Sequence, residues 1–152
     1  MNSIEIAKRV MYLPVIKKYF EKKHKIKKNE IELLIFIYAQ RTFKLRHWYG
    51  YRNLFSWTPK TFANMKEAGY LKYATDKGGI QYASSVKTDK LMGEFFALLE
   101  DDAYFDPDES VNPMFKRETH TDKVYSNFMK RLNKERSQRP APVLYDTDDS
   151  EF

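Results

Sequence analysis

The sequence predicts a mainly α-helical fold with a small β-ribbon, an α+β architecture built around one principal domain. Three observations predict it. Apolar residues recur at helical spacing within 4–22, 29–40, 59–68, 88–99 and 122–136. Two short strand-like stretches, 70–74 and 80–86, flank the turn sequence Asp76-Lys77-Gly78-Gly79. Hydrophobic residues make up 42% of 152 positions, too many for a disordered chain even with 32% charged residues.

Each element follows from local chemistry. In the first helix Ile4, Ile6, Val10, Leu13, Ile16 and Phe20 alternate with Lys8, Arg9, Lys17 and Lys18, and Pro14 is expected to break or restart it. Residues 21–28 are a basic connector. Asn29 is the expected N-cap of the second helix, with Glu32 in the capping-box position. Its stripe of Ile31, Leu34, Ile35 and Tyr38 is widened by Leu33, Phe36 and Ile37, which marks a core helix. Residues 42–57 mix aromatic and basic side chains. Leu45, Trp48 and Tyr49 would face inward from a short helix that Gly50 weakens. Thr58-Pro59 is a clear helix start and Gly69 a left-handed stop, with Phe62, Met65 and Ala68 turned to the core. Thr88 is expected to cap the helix of Leu91, Phe95, Phe96, Leu98 and Leu99. An acidic loop at 101–113 precedes a last helix carrying Val124, Phe128 and Leu132.

These elements group into an N-terminal helix and connector (1–28), a central domain (29–100), an acidic loop and C-terminal helix (101–136), and an acidic tail (137–152). Helix, aromatic-basic segment, helix, ribbon and helix, in that order, outline a winged helix-turn-helix, a module that places one helix in the DNA major groove.

Charge is unevenly distributed. Residues 1–93 hold 19 Lys and Arg against 7 Asp and Glu, whereas residues 94–110 hold 7 acids and no base. Such segregation suits a polyanionic partner, with the acids kept off the contact face. There is no cysteine, which excludes disulfides, zinc fingers and thiol nucleophiles together. His24, His47 and His120 stand apart, without metal-ligand spacing. The stretch from Asp106 lacks the glycine and glutamate of a calcium loop, having Val111 and Arg117 in their places. Gly78-Gly79 is not followed by the Lys-Ser/Thr of a phosphate loop. Neither an enzyme nor a bound cofactor is expected. No apolar run reaches the roughly 20 residues of a membrane span, and no secretory signal opens the chain. A soluble protein of the cytoplasm is expected, with no membrane partner.

The stretch Thr58-Pro59-Lys60-Thr61-Phe62-Ala63-Asn64-Met65-Lys66-Glu67-Ala68-Gly69-Tyr70-Leu71 resembles the recognition helix and first wing strand of MarR-type winged-helix regulators. Val86-Lys87-Thr88-Asp89-Lys90-Leu91-Met92 resembles that family's exit from the wing into its long helix. The resemblance spans residues 29–100. It implies a transcriptional regulator and a homodimer, with N- and C-terminal helices intertwined and two recognition helices presented to one duplex. The sequence departs from the family in three places. Residues 40–58 are longer and more aromatic, Lys77-Gly78 stands where the wing has Asp-x-Arg, and the tail from Pro140 has no counterpart. These departures fit a divergent, phage-type member, or a winged helix turned to protein contacts in a virion or other assembly.

The residues expected to touch double-stranded DNA are Arg46, Arg52, Thr58, Lys60, Thr61, Asn64, Lys72 and Lys77. Asparagine reads adenine and threonine meets a thymine methyl or a phosphate, whereas arginine and lysine neutralise phosphates. The two end helices each carry an apolar stripe that the central domain does not need, which points to a two-fold partner. The tail's Val143, Leu144 and Tyr145 beside acids suit docking on a protein partner.

Overall fold

A computed structural model describes residues 2–51, 53–100 and 103–137; Arg52 and the tail segment 138–152 therefore lie outside the described residues. Helix α1 (Ser3–His24) leads into α2 (Lys28–Gln40), strand β1 (Thr42–Lys44), the one-turn α3 (Leu45–Trp48) and α4 (Pro59–Glu67). Strands β2 (Leu71–Asp76) and β3 (Gly79–Ser84) form the hairpin, followed by α5 (Val86–Leu99), a 3₁₀ turn (Pro113–Lys116) and α6 (His120–Ser137). The fold is mainly helical with one three-stranded antiparallel sheet, in the order β1-β3-β2. β3 pairs Tyr82 with Tyr73 on one side and with Phe43 on the other. No helix of the described residues is long and apolar enough to cross a membrane.

Several boundaries differ from the sequence expectation, each for a local reason. α1 runs unbroken through Pro14. That residue lies on the outer side, away from buried Tyr12, Val15, Ile16, Tyr19 and Phe20, so the carbonyl left without its N–H partner faces water. A capping box opens the helix: the Asn2 side chain accepts from the Glu5 N–H, and the Glu5 carboxylate accepts from the Asn2 N–H. α2 begins at Lys28, not after Asn29, because the Glu30 carboxylate takes up the Lys27 N–H at 2.8 Å. Ser85, not Thr88, caps α5; Thr88 is fully buried and donates to the Tyr70 carbonyl. The hairpin loop is Lys77-Gly78 alone, since Asp76 pairs with Gly79.

The ends of the chain are not left over from the central core, as the sequence suggested; they complete it. Tyr12, Val15, Ile16, Tyr19 and Phe20 of α1 and Met129 and Leu132 of α6 belong to one cluster with Ile31, Leu34, Met92 and Phe95. Phe20 meets Phe95 edge-on at 5.3 Å, and Tyr19 meets Phe105 at 5.6 Å. Arg136 closes the far end, donating to the Leu98 carbonyl at 2.8 Å and to that of Ala103. Still exposed are Ile4, Ile6, Val10 and Met11 at the start of α1 and Val124 of α6.

Asp122 fixes the start of α6. It accepts the Thr119 N–H while the Thr119 hydroxyl accepts its own N–H, and Lys22 of α1 reaches it at 2.5 Å. Burial of this side chain pushes its pKa up, but the Lys22 and Thr119 contacts outweigh burial and hold it below the ordinary 3.8. A carboxylate with a lowered folded-state pKa contributes stability that is full above the unfolded value and is lost as pH falls through the folded one. Asp122→Ala is expected to cost about 2 kcal/mol at neutral pH, from the lost cap and the stranded Lys22 partner. Urea denaturation should show that deficit shrinking below pH 3.8; a deficit independent of pH contradicts the assignment.

Candidate nucleic-acid interface

α4 packs against the sheet, and both of its ends are tied down. At its start the Thr58 side chain accepts the Thr61 N–H, the Thr61 hydroxyl accepts the Thr58 N–H at 3.1 Å, and Pro59 occupies the first turn. Two indoles set where this start lies. Trp48 donates to the Trp57 carbonyl at 3.0 Å, and Trp57 donates to the Asn29 carbonyl of α2 at 2.8 Å. Trp57 also stacks on Phe55 with ring centroids 4.1 Å apart. At the other end Gly69, at φ +88, takes the left-handed turn that a side chain resists. There the Ser85 hydroxyl donates to the Gly69 carbonyl and Lys87 to the Ala68 carbonyl.

Between these ties Phe62 anchors the helix. Its ring stacks on Phe43 of β1 at 5.8 Å and on Tyr82 of β3 at 5.2 Å, and meets Trp48 edge-on at 6.2 Å. Met65 is buried beside it. The opposite face presents Lys60, Ala63, Asn64 and Glu67, all exposed and spaced at three and four residues.

The structure separates the expected contact residues. Arg46, Thr58, Lys60, Asn64, Lys72 and Lys77 are exposed. Lys60 and Asn64 share the outer face of α4, Lys72 lies on the edge strand β2, and Lys77 sits at the hairpin tip. None of these cations enters a salt bridge among the described residues. Thr61 is a correction: only 8% exposed, it is turned back onto Thr58 and has no free face for a base. Ala68, expected in the core, is exposed as the C-cap that follows the helix. Trp48 is buried as expected, but Tyr49 is 57% exposed.

Ala63 and Glu67 were missed from sequence, although they stand one residue before and three after Asn64. Helical period alone places them on its face. Lys66 was also missed; its ammonium lies 4.0 Å from the centre of the Tyr73 ring, which joins α4 to β2. Burial pushes the Tyr70 and Tyr82 hydroxyls up, so both rings stay neutral beneath this surface. Chemically the face offers a lysine for phosphate, an asparagine for adenine, an alanine methyl for thymine and a carboxylate able to accept from cytosine.

No family model, no curated protein and no solved structure matches the chain.

Phe62→Ala is expected to lower stability by about 4 kcal/mol, the range for a fully buried phenylalanine, and Thr58→Ala by about 1 kcal/mol. Denaturation followed by circular dichroism measures both. A Phe62→Ala loss no larger than that of Thr58→Ala contradicts the anchoring role.

Proposed function

We propose that the chain is a winged-helix protein that binds double-stranded DNA, with α4 in the major groove and the β2–β3 hairpin beside it, and that it regulates transcription as MarR-like proteins do. The observation that carries this reading is the outer face of α4. Lys60 and Asn64 stand exposed on a helix fixed at both ends, with Arg46, Lys72 and Lys77 exposed on neighbouring elements. The connection of α2, β1, α3, α4 and hairpin, with β1 closing the sheet against β3, supports the same reading. A nine-residue helix is about 13 Å long, and the major groove is about 12 Å wide and admits a helix.

Affinity then comes chiefly from phosphate neutralisation, and discrimination from Asn64 with its neighbours on the helix. A second copy would space two α4 helices about one duplex turn, roughly 34 Å, apart. The surface left for that copy is the start of α1, where Ile6 and Val10 share a face and are 49% and 66% exposed. One observation favours a different partner. Tyr49, Tyr51 and Leu54, in the segment between α3 and α4, are exposed where a DNA-binding turn would carry polar groups, and Leu54 is 74% exposed. A scaffold used for protein contacts in a virion or other assembly would use that patch instead.

Gel shifts with random duplex DNA at low salt test the proposal. Four neutralised phosphates give a slope of log affinity against log salt of about −3.6 per copy, and Lys60→Ala or Lys77→Ala should each reduce it by about 1. Asn64→Ala should instead cost about 1–3 kcal/mol of discrimination at a preferred site. Absence of any complex at low salt sinks the reading. Light scattering at tens of micromolar should report a dimer mass; a monomer removes that part and leaves the assembly scaffold the stronger account.

A further inference from the structure

The outer seam between α1 and α6 carries an open groove of about 740 Å³, lined by Met11, Pro14, Val15, Val124, Phe128 and Arg131. Its floor is apolar and partly open to solvent: Met11 is 53% and Val124 49% exposed. The groove shares Pro14 and Tyr125 with a hollow lined also by Val10 and Leu13 and bordered by Lys17, Lys18 and Lys28, with Glu21 its one acid. These three lysines enter no salt bridge among the described residues. The seam thus carries one cation, Arg131, beside its apolar floor and three lysines toward the other end.

The direction of the helices says which segment can reach it. Lys22 of α1 meets Asp122 at the start of α6, whereas Arg136 at its end lies 5.4 Å from the Tyr12 ring. The two helices are antiparallel, and α6 ends at Ser137 beside the first half of α1. Residues 124–131 lie about 9–20 Å behind Ser137 along the helix axis. An extended run from Ser137 to Val143 covers about 20 Å. That length puts Val143-Leu144-Tyr145 within reach of the apolar floor. The acids that follow, Asp146, Asp148, Asp149 and Glu151, are within reach of Lys17, Lys18 and Lys28. Residues 140–152 contain those four acids and no base. The order of apolar then acidic residues in the segment matches the order of apolar then basic surface along the groove.

We propose that residues 143–152 of the chain itself occupy the α1–α6 groove. Val143, Leu144 and Tyr145 cover Met11, Val124 and Phe128, and the acids that follow face the lysine rim. The inference is independent of the DNA-binding reading, because it concerns the outer seam and not α4. It meets the proposed dimer surface at Val10, which also lines the hollow, whereas Ile6 lies about 140° around α1 from Met11 at roughly 100° per residue.

The chain has no cysteine, so Ser150→Cys in the full-length protein gives one site for a nitroxide spin label. In the ¹⁵N-labelled protein the amides of Lys17, Lys18, Val124 and Tyr125 should lose more than half their intensity, and the loss should persist on dilution. Asp146→Lys, Asp148→Lys and Asp149→Lys together should restore them, with the circular dichroism of the full-length protein unchanged. Unchanged intensities overturn the proposal, as does broadening that survives the charge reversal. So does broadening in a mixture of spin-labelled ¹⁴N protein with unlabelled ¹⁵N protein, which would assign the groove to a second copy.

Discussion

The ring of Phe62 is where α3, α4 and the two strands β1 and β3 meet, and the pose of α4 depends on that meeting. A helix of nine residues is too short to hold together in water by its own hydrogen bonds. It takes its stability and its direction from what it packs on. Stacking between Phe43 and Tyr82 fixes its distance from the sheet, and the edge-on contact with Trp48 fixes its rotation. Thr58 with Thr61 at one end, and Gly69 with Ser85 and Lys87 at the other, keep the helix from sliding. Lys60, Ala63, Asn64 and Glu67 are thus carried on a rigid support, the condition under which a side chain can discriminate between partners.

Charge is arranged to the same end. Three of the acids that follow residue 93 pair along α1: Glu100 with Arg9, Glu94 with Lys23, and Asp122 with Lys22. His24 stands 3.6 Å from Glu94 and holds that carboxyl below its ordinary range, while burial opposes the shift. The Glu100–Arg9 and Glu94–Lys23 pairs, both partly exposed, contribute little to stability. Their larger effect is to offset part of the positive charge of α1.

What could be read from the sequence was whatever is decided within a few residues. Thr58-Pro59 and Gly69 bound α4 because a cap, a fixed φ and a left-handed stop are local chemistry. The hairpin was legible from its glycines. β1 was not, since three residues pair with a strand about forty positions later and carry no period of their own. Thr61 was misplaced because its hydroxyl answers Thr58 in a reciprocal cap, a pattern that Thr-x-x-Thr contains but that helical period hides. Pro14 read as a break because the sequence does not say which side of α1 faces water. The end helices read as spare because their stripes were judged against the central domain alone, whereas Met129 and Leu132 fill its far side. Of the contact residues, the exposure of Lys60, Asn64, Lys72, Lys77 and Arg46 was legible, and the company of Ala63 and Glu67 required the helix face.

The central claim is that the outer face of α4 meets duplex DNA. Backbone amide shifts of the full chain, followed as random-sequence duplex is added at low salt, test it most directly because they locate the contact as well as detect it. The account predicts perturbations concentrated at Lys60, Ala63, Asn64 and Glu67 and at the Lys77-Gly78 tip, with α6 unaffected. Shifts confined to Tyr49, Tyr51 and Leu54, or none at all, would contradict it.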